Sequence, residues 1–447
     1  MKILLIVPND EFFYSDFPQG LLYIASYIRK NKKNVDIRIF DEESSQLEKY
    51  LKEFKPDLIG IFAVVTNLDN LRLCMRIARL VNPYSKIVIG GPACVTSEEH
   101  LKSMNPDFIV LGEGETTFLE IVNYYIDESK YGSIPNIIYK KNGVYQKNSI
   151  QTKRIDLEKE DMPDFDLIDV EKYVRRWFYF DYMKNIRGIS MIASRGCPYN
   201  CSFCQPTLKH LFGTKVRYHD PDKIVEKMKE LHEKYSINAF FFHDDTFTLN
   251  KKFVERLCDR LLKENLEIIW GCNSRVDCIT DEACSLMYKA GCREIRLGIE
   301  SFNKDTLNFF EKEVDEGKLR ESLSIIKKNN INSFGFIIIG APNEKITDIL
   351  NTLFKSTASS LDLVRISILT SLPGTKIDDK KRSKIRKDKD YNYIKSSRNN
   401  LSSIPFWILR LLKNFGYIIF YLHSKRFLRF LKMNGSLQKI KYKLERL

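Results

Sequence analysis

The sequence predicts an α/β chain: two parallel-sheet domains in succession, then a helical, basic C-terminal tail. Three observations carry this. Residues 1 to about 150 alternate short β-branched runs with helical periodicity, six further strand–helix repeats follow up to residue 375, and basic charge is concentrated beyond them. At 447 residues the chain exceeds one ordinary domain of ~100–200 residues, and a hydrophobic content of 43% is ample for packed cores. The expected divisions are 1–130, a connection over 131–185, a second domain over 186–375 and a tail over 376–447.

In the first domain, strands are expected at 2–7, 35–40, 58–63, 86–89 and 108–111, with helices at 21–30, 68–81 and 116–125. Alternation of this kind gives a doubly wound sheet with ligands at the carboxyl ends of its strands. Those ends carry Gly20, Gly90, Gly91, Gly112 and Gly114, where a ligand could approach bare backbone. The opening run Met1–Pro8 is too short for the apolar region of a secretory signal and reads as a buried strand, so the expected location is cytoplasmic.

The connection contains a small hairpin around Asn142-Gly143 and an acidic, proline-bearing linker, Met162-Pro163-Asp164-Phe165-Asp166. The second domain's strands are expected at 188–194, 239–243, 267–272, 294–299, 332–339 and 363–369. Between them lie helices at 221–235, 251–264, 281–290, 318–329 and 347–360. Six such repeats make a partial (β/α)6 barrel, whose site belongs at the carboxyl ends of the strands.

The first of those ends carries the chemistry. Ser194-Arg195-Gly196-Cys197-Pro198-Tyr199-Asn200-Cys201-Ser202-Phe203-Cys204 puts three thiols on one short loop. A zinc site wants a fourth Cys or His nearby, and His210 is a poor candidate. Disulfides belong to oxidising compartments. Iron–sulfur clusters take thiolates, usually four, so three cysteines (Cys197, Cys201 and Cys204) leave one iron of a four-iron cluster open. The other seven cysteines show no second ligand spacing and read as core or surface thiols.

With these residues the sequence resembles the radical S-adenosylmethionine superfamily. The resemblance implies a 4Fe–4S cluster whose open iron is chelated by S-adenosylmethionine, and cleavage of that molecule to a 5′-deoxyadenosyl radical. It also implies roles along residues 1–375: Phe203 near adenine, Asp244 or Asp245 on the methionine amino group, Ser274 and Arg275 near its carboxylate, and Glu300 on the ribose hydroxyls. Gly340 and Pro342 would shape the wall against adenine. A carboxylate facing an ammonium, a guanidinium fork facing a carboxylate and a glutamate facing vicinal hydroxyls suit those contacts chemically.

The first domain resembles the cobalamin-binding domain of one large branch of that superfamily, as in the Pro56–Ile61 opening of the third strand. This Rossmann-like domain lacks the Asp-x-His-x-x-Gly motif that ligates cobalt elsewhere, and His100 sits in a helical, surface context. Binding is therefore expected without a histidine ligand. The branch implies a cobalamin-dependent methyltransferase acting on an unactivated carbon of a small molecule, natural product or lipid-type substrate. Cyclisation, rearrangement, methylthio transfer and a non-enzymatic cluster or corrinoid module are the alternatives. An external one-electron donor such as flavodoxin or ferredoxin is implied.

The net charge of +14 is uneven: residues 376–447 hold 20 Lys/Arg against 5 Asp/Glu, leaving the rest of the chain near neutral. Nucleic acid is not an expected partner of the catalytic body. The charge run 378–384 reads as solvated. Residues 404–432 mix aromatic and basic side chains in two amphipathic helices, expected to dock on the barrel, with a membrane surface or an anionic substrate as alternatives.

Overall fold

The computed structural model describes residues 1–8, 17, 19–151, 154–177, 179–180, 182–204, 207–379, 400–423 and 426. The charge run beyond Asp379 and the second of the two expected tail helices lie outside the described residues.

The first sheet begins with five strands, β1 (Lys2–Ile6), β2 (Asp36–Phe40), β3 (Leu58–Phe62), β4 (Lys86–Gly90) and β5 (Phe108–Val110). β1, β3 and β5 are nearly continuous apolar runs because helices cover both faces of the sheet. The hairpin β6 (Ile137–Lys141) and β7 (Val144–Lys147) turns on Asn142 and Gly143, both at positive φ (50° and 82°), as a two-residue turn requires. Assigned to the connection from sequence, the hairpin extends the first sheet, because β6 pairs antiparallel with β5. The order is β2-β1-β3-β4-β5-β6-β7, so the direction of winding switches between β1 and β3, where a ligand crevice is expected. A helix at Ser44–Phe54 was not anticipated, although Leu47, Leu51 and Phe54 give it a buried face.

The connection crosses the first domain before the barrel starts. Tyr173 donates to the Asp41 carboxylate just beyond β2, and Lys172 pairs with it at 3.2 Å. Phe17 packs edge-on against Phe165 and Tyr173, with centroids 5.2 and 5.8 Å away. Phe17 and Leu22 belong to the same apolar cluster as the barrel core.

β8 (Gly188–Met191) opens the second domain; β9 (Ser194–Arg195) and β10 (Arg217–Tyr218) form a separate antiparallel pair. The strand expected over 188–194 breaks because the Asp244 carboxylate accepts from the Ala193 N–H (3.0 Å) and the Ser194 hydroxyl, drawing that segment out of the sheet. Then follow β11 (Ala239–Phe242), β12 (Ile269–Arg275), β13 (Cys292–Glu300), β14 (Asn332–Ile339) and β15 (Leu363–Ile368). The order β15-β14-β13-β12-β11-β8, parallel throughout, is a partial barrel whose edge strands β15 and β8 do not pair with each other.

The tail helix Phe406–Leu422 covers the β15 edge. The Tyr417 hydroxyl accepts from the Ile366 N–H at 3.0 Å and donates to the Ile366 carbonyl at 3.3 Å. Tyr421, one turn on, does the same for Val364 at 3.4 and 3.3 Å. Arg426 donates to the carbonyls of Thr357, Ser359 and Leu361 at 2.7, 2.7 and 2.8 Å, closing the end of the helix Ile346–Ala358.

Candidate active site

The cysteine loop leaves β9 through Gly196, whose φ of +105° and whose approach to Lys215 exclude any side chain: a Cβ would lie 2.8 Å from the Lys215 carbonyl. The loop is pinned again at Ser202. Its N–H donates to the Phe310 carbonyl (2.9 Å) and its hydroxyl to that of Phe309 (2.8 Å). Phe203 meets Phe310 edge-on at 5.0 Å. Cys197 and Cys201 are half-buried and Cys204 is exposed, so the loop opens its thiols to the barrel mouth. Among the described residues no three His, Cys, Asp or Glu side chains converge as a single metal ion needs.

Arg275 ends β12 beside this loop. Asp277 holds it bidentately at 2.9 and 3.1 Å, it lies 3.6 Å over the Tyr199 ring, and its remaining Nη1 points at the Cys201 sulfur, 3.6 Å away. One edge of the guanidinium, Nε with Nη2, is thus committed to Asp277, and Nη1 faces a cysteine of the loop. That is a different environment from the open fork that the sequence suggests for a substrate carboxylate. Ser274 is buried, hydrogen-bonded to Thr248, and donates at 3.2 Å to the Arg275 carbonyl.

The acidic pair after β11 divides. Asp244 is buried and spent on Ala193 and Ser194; burial pushes its carboxyl up to about 6. Asp245 reaches solvent in the mouth, yet crowding by the protein and the Asp244 charge push it up to about 7. Glu300 sits at the end of β13 with φ +65°, at a register shift against β14. Such backbone is costly away from glycine and concentrates at functional sites. Lys312, buried, pairs with Glu300 at 2.9 Å and donates to the Gly298 carbonyl at 2.6 Å. Gly298 makes room for that pair, since its Cβ would lie 2.5 Å from Glu300 Oε1.

Gly340 has a neighbour that the sequence did not suggest: a Cβ there would meet Leu409 of the tail helix at 3.0 Å, whereas a wall against adenine was expected. Its loop, with Pro342 partly exposed, is held by Glu344, which accepts from the Gly340 and Ala341 N–H groups at 2.6 and 3.1 Å. Burial pushes Glu344 up to about 7.

Across the domain boundary, the strand ends of the first sheet face this loop. A Cβ at Gly20 would meet nothing within 4 Å, at Gly90 nothing closer than 4.0 Å and at Gly112 nothing closer than 3.8 Å. Gly91 and Gly114 serve the protein's own packing instead. The first has φ +116° and would strike the Ala63 carbonyl at 2.7 Å; the second would strike Ile24 at 2.5 Å. Between Gly112 and Gly114, Glu113 turns to the second domain with Glu115. Arg195 pairs with Glu115 at 2.7 Å and Glu113 at 3.4 Å, Arg217 with Glu113 at 2.5 Å, and Arg195 stacks 4.6 Å over Tyr23. His100 contacts Arg72 at 3.2 Å on a helix flank.

Residues 191–355 match the radical SAM superfamily and residues 10–122 the B12 binding domain. Over 387 residues the chain is 31% identical to an uncharacterized methyltransferase, PH0819, of Pyrococcus horikoshii, covering 84% of this chain and 82% of that protein. The chain belongs to the radical SAM superfamily. It is also 27% identical over 394 residues to the anaerobic magnesium-protoporphyrin IX monomethyl ester cyclase of Rubrivivax gelatinosus, covering 83% of this chain and 68% of that one. Its fold resembles the structure of the radical S-adenosylmethionine methyltransferase TsrM of Kitasatospora setae, with a TM-score of 0.72 at 15% identity over 84% of this chain and 77% of that chain.

The cofactors of this radical SAM enzyme are a 4Fe–4S cluster, S-adenosylmethionine and cobalamin. The residues present fit them: three open thiols on one pinned loop, and three glycines at the carboxyl ends of the first sheet's strands where a Cβ would meet nothing closer than 3.8 Å, Gly20 beside the switch point and Gly90 and Gly112 at the ends of β4 and β5. Sequence reasoning missed Arg195, Glu113, Glu115, Arg217, Lys312 and Glu344. The one available signal was the alternation of acid and glycine over 112–115, in which only the glycines were read.

Proposed function

We propose that the enzyme transfers a methyl group to an unactivated carbon of a small-molecule substrate. The observation that carries this reading is the buried ion cluster of Arg195, Arg217, Glu113 and Glu115, which ties the base of the cysteine loop to the crevice end of the B12 binding domain. A fixed separation between the two cofactor seats is what methyl delivery to the substrate carbon requires.

In this reading Cys197, Cys201 and Cys204 hold the cluster. Asp245, the mouth-facing acid, meets the methionine ammonium, and the charge it meets there offsets the crowding that raises its carboxyl. Asp244 positions the strand that leads into the loop. Arg275 braces Cys201 and Tyr199 and offers its outer edge to the carboxylate. Glu300, oriented by Lys312, accepts from the ribose hydroxyls, and Phe203 flanks the adenine. Gly20, Gly90 and Gly112 seat the corrin face. When bound, the cluster supplies the electron that cleaves S-adenosylmethionine, and cobalamin carries the methyl group. An external one-electron donor of the flavodoxin or ferredoxin class reduces the enzyme.

Ring closure is the second reading, favoured by the 27% identity to a cyclase. The deciding experiment is anaerobic reconstitution with iron, sulfide and hydroxocobalamin, followed by reduction in the presence of methyl-labelled S-adenosylmethionine. Label retained in the corrinoid fraction together with released 5′-deoxyadenosine supports methyl transfer. Release of 5′-deoxyadenosine with no label on corrinoid sinks it and leaves ring closure.

A further inference from the structure

The tail helix is apolar on two opposite faces. Leu409, Gly416 and Phe420 are buried against the barrel edge, Gly416 so closely that a Cβ would meet Ile366 and Leu353 at 2.7 Å. Trp407, Leu411, Phe415, Ile418 and Leu422 recur every three or four residues on the other side, and all are 37–64% exposed. Phe354 of the neighbouring helix Ile346–Ala358, 53% exposed and with its ring 6.1 Å from Phe415, widens the patch. Scattered exposed hydrophobics need no explanation, but a continuous stripe on a helix that is already packed behind marks a surface with a further partner.

Charge identifies the partner. The helix contains no Asp or Glu, and its flank carries Arg410 and Lys413 next to Arg365 of β15. The tail from residue 376 carries 20 Lys/Arg against 5 Asp/Glu, while the remainder of the chain is near neutral. A second copy of the chain would bring a second Arg410, Lys413 and Arg365 to this face. An anionic surface would be attracted to it, at a gain of about 1 kcal/mol per basic residue near the surface. The helix has 17 residues, and none of the described helices is long and apolar enough to cross a membrane, so it would lie in the interface plane.

We propose that this face docks the enzyme on the surface of an anionic lipid bilayer. The helix runs antiparallel to β15, from Leu409 against Gly340 at the carboxyl end of the strands to Tyr421 against Val364. Its first turn, with Trp407, is therefore at the rim of the barrel mouth. Docking along the stripe sets that rim beside the headgroups, at the depth where a tryptophan ring is most at home.

The test is flotation of the full-length, cluster-loaded protein with phosphatidylcholine vesicles, with and without phosphatidylglycerol. Binding is expected only to the anionic vesicles, weakening as salt is raised. Leu411→Glu with Ile418→Glu should lower that affinity on the order of tenfold or more, with thermal unfolding and iron content unchanged because both side chains are more than half exposed. Brominated lipid should quench Trp407 fluorescence, shown by loss of the quenching in Trp407→Phe while Trp177 and Trp270 remain. Equal partition to both vesicle types, or unaltered binding by the double variant, would overturn the proposal. So would a solution dimer that the double variant splits, since that makes the face a self-association surface. None of these readouts depends on cleavage of S-adenosylmethionine, so the result stands apart from the methyl-transfer reading.

Discussion

Arg195 and Glu115 meet at 2.7 Å across the boundary between the two domains, 6% and 3% exposed, with Arg195 only two positions before Cys197, the first cysteine of the loop. A buried pair of this kind contributes little net stability compared with an apolar pair, but losing one partner strands the other charge. The cysteine loop and the B12 binding domain therefore cannot separate without exposing this pair.

Arg195→Met leaves Glu115 without its cation, while Glu113 keeps Arg217. It should destabilise the protein by about 3–5 kcal/mol in urea unfolding. A cost below about 1 kcal/mol would mean that water screens the cluster and that the boundary is loose.

Asp245 gives a pH dependence with a definite sign. Its carboxyl is raised from 3.8 to about 7 in the folded protein, so the native state holds a proton that the unfolded state gives up. Its penalty is absent below pH 4, grows as pH rises towards 7 and is complete above it. Asp245→Asn should therefore raise stability at pH 8 by about 1 kcal/mol once solvent screening is allowed for, and change nothing at pH 4. Affinity for S-adenosylmethionine should fall in the same variant. In the wild type it should weaken below pH 7 as the ammonium's partner is protonated. A wild-type affinity that is flat between pH 6 and 8 would remove Asp245 from the amino-group contact.

Glu300 and Lys312 should separate stability from binding. Glu300→Gln leaves a buried ammonium with a weakened partner and should both destabilise the fold and lower S-adenosylmethionine affinity by roughly tenfold. Adding Lys312→Met should restore much of the stability and none of the affinity. If both recover together, Glu300 serves the fold and not the ribose.

The two adjacent glycines after β4 should respond differently. Gly90→Leu adds a Cβ that would meet nothing closer than 4.0 Å and should abolish corrinoid binding, read from the visible spectrum, with melting and iron content unchanged. Gly91→Ala should lower the melting temperature with or without corrinoid, because φ +116° and the Ala63 carbonyl oppose any Cβ. Normal corrinoid loading in Gly90→Leu would reject the crevice as the seat.

Each tail tyrosine should contribute about 1 kcal/mol through its hydroxyl, the usual net worth of a hydrogen bond. Tyr417→Phe and Tyr421→Phe, measured singly and together by denaturant unfolding, test this. An additive loss near zero would mean that water replaces the phenols at the strand edge.

Much of the architecture is legible in the sequence because its signals are local. The helices Pro221–Tyr235 and Lys251–Glu264 agree with their expected bounds, each with a side-chain N-cap (Asp220, Asn250) and a residue at positive φ closing it (Ser236, Asn265). The cysteine spacing is local in the same way, three thiols within eight residues of one loop. Partners distant in sequence are not. Arg195 lies 82 residues from Glu113, so no periodicity or motif joins them. Lys312 is hidden by an intervening helix, Lys304–Phe309, and the division of labour between Asp244 and Asp245 depends on which side of one strand end each carboxylate turns to. The β-break at Met191 was unreadable because a carboxylate 50 residues downstream causes it.

The phenols of Tyr417 and Tyr421 have a consequence for solubility. A half-closed barrel ends in a strand whose outward amides and carbonyls could template a neighbouring chain, the route by which open sheets polymerise. Two hydroxyls set four residues apart on a helix match two alternate residues of that strand, each hydroxyl both giving and receiving, so the helix occupies the position of a seventh strand without being one. A chain shortened before Pro405 would keep its cysteines and its barrel but carry an unguarded border. Its expected failure is sheet-to-sheet aggregation during synthesis rather than loss of catalysis.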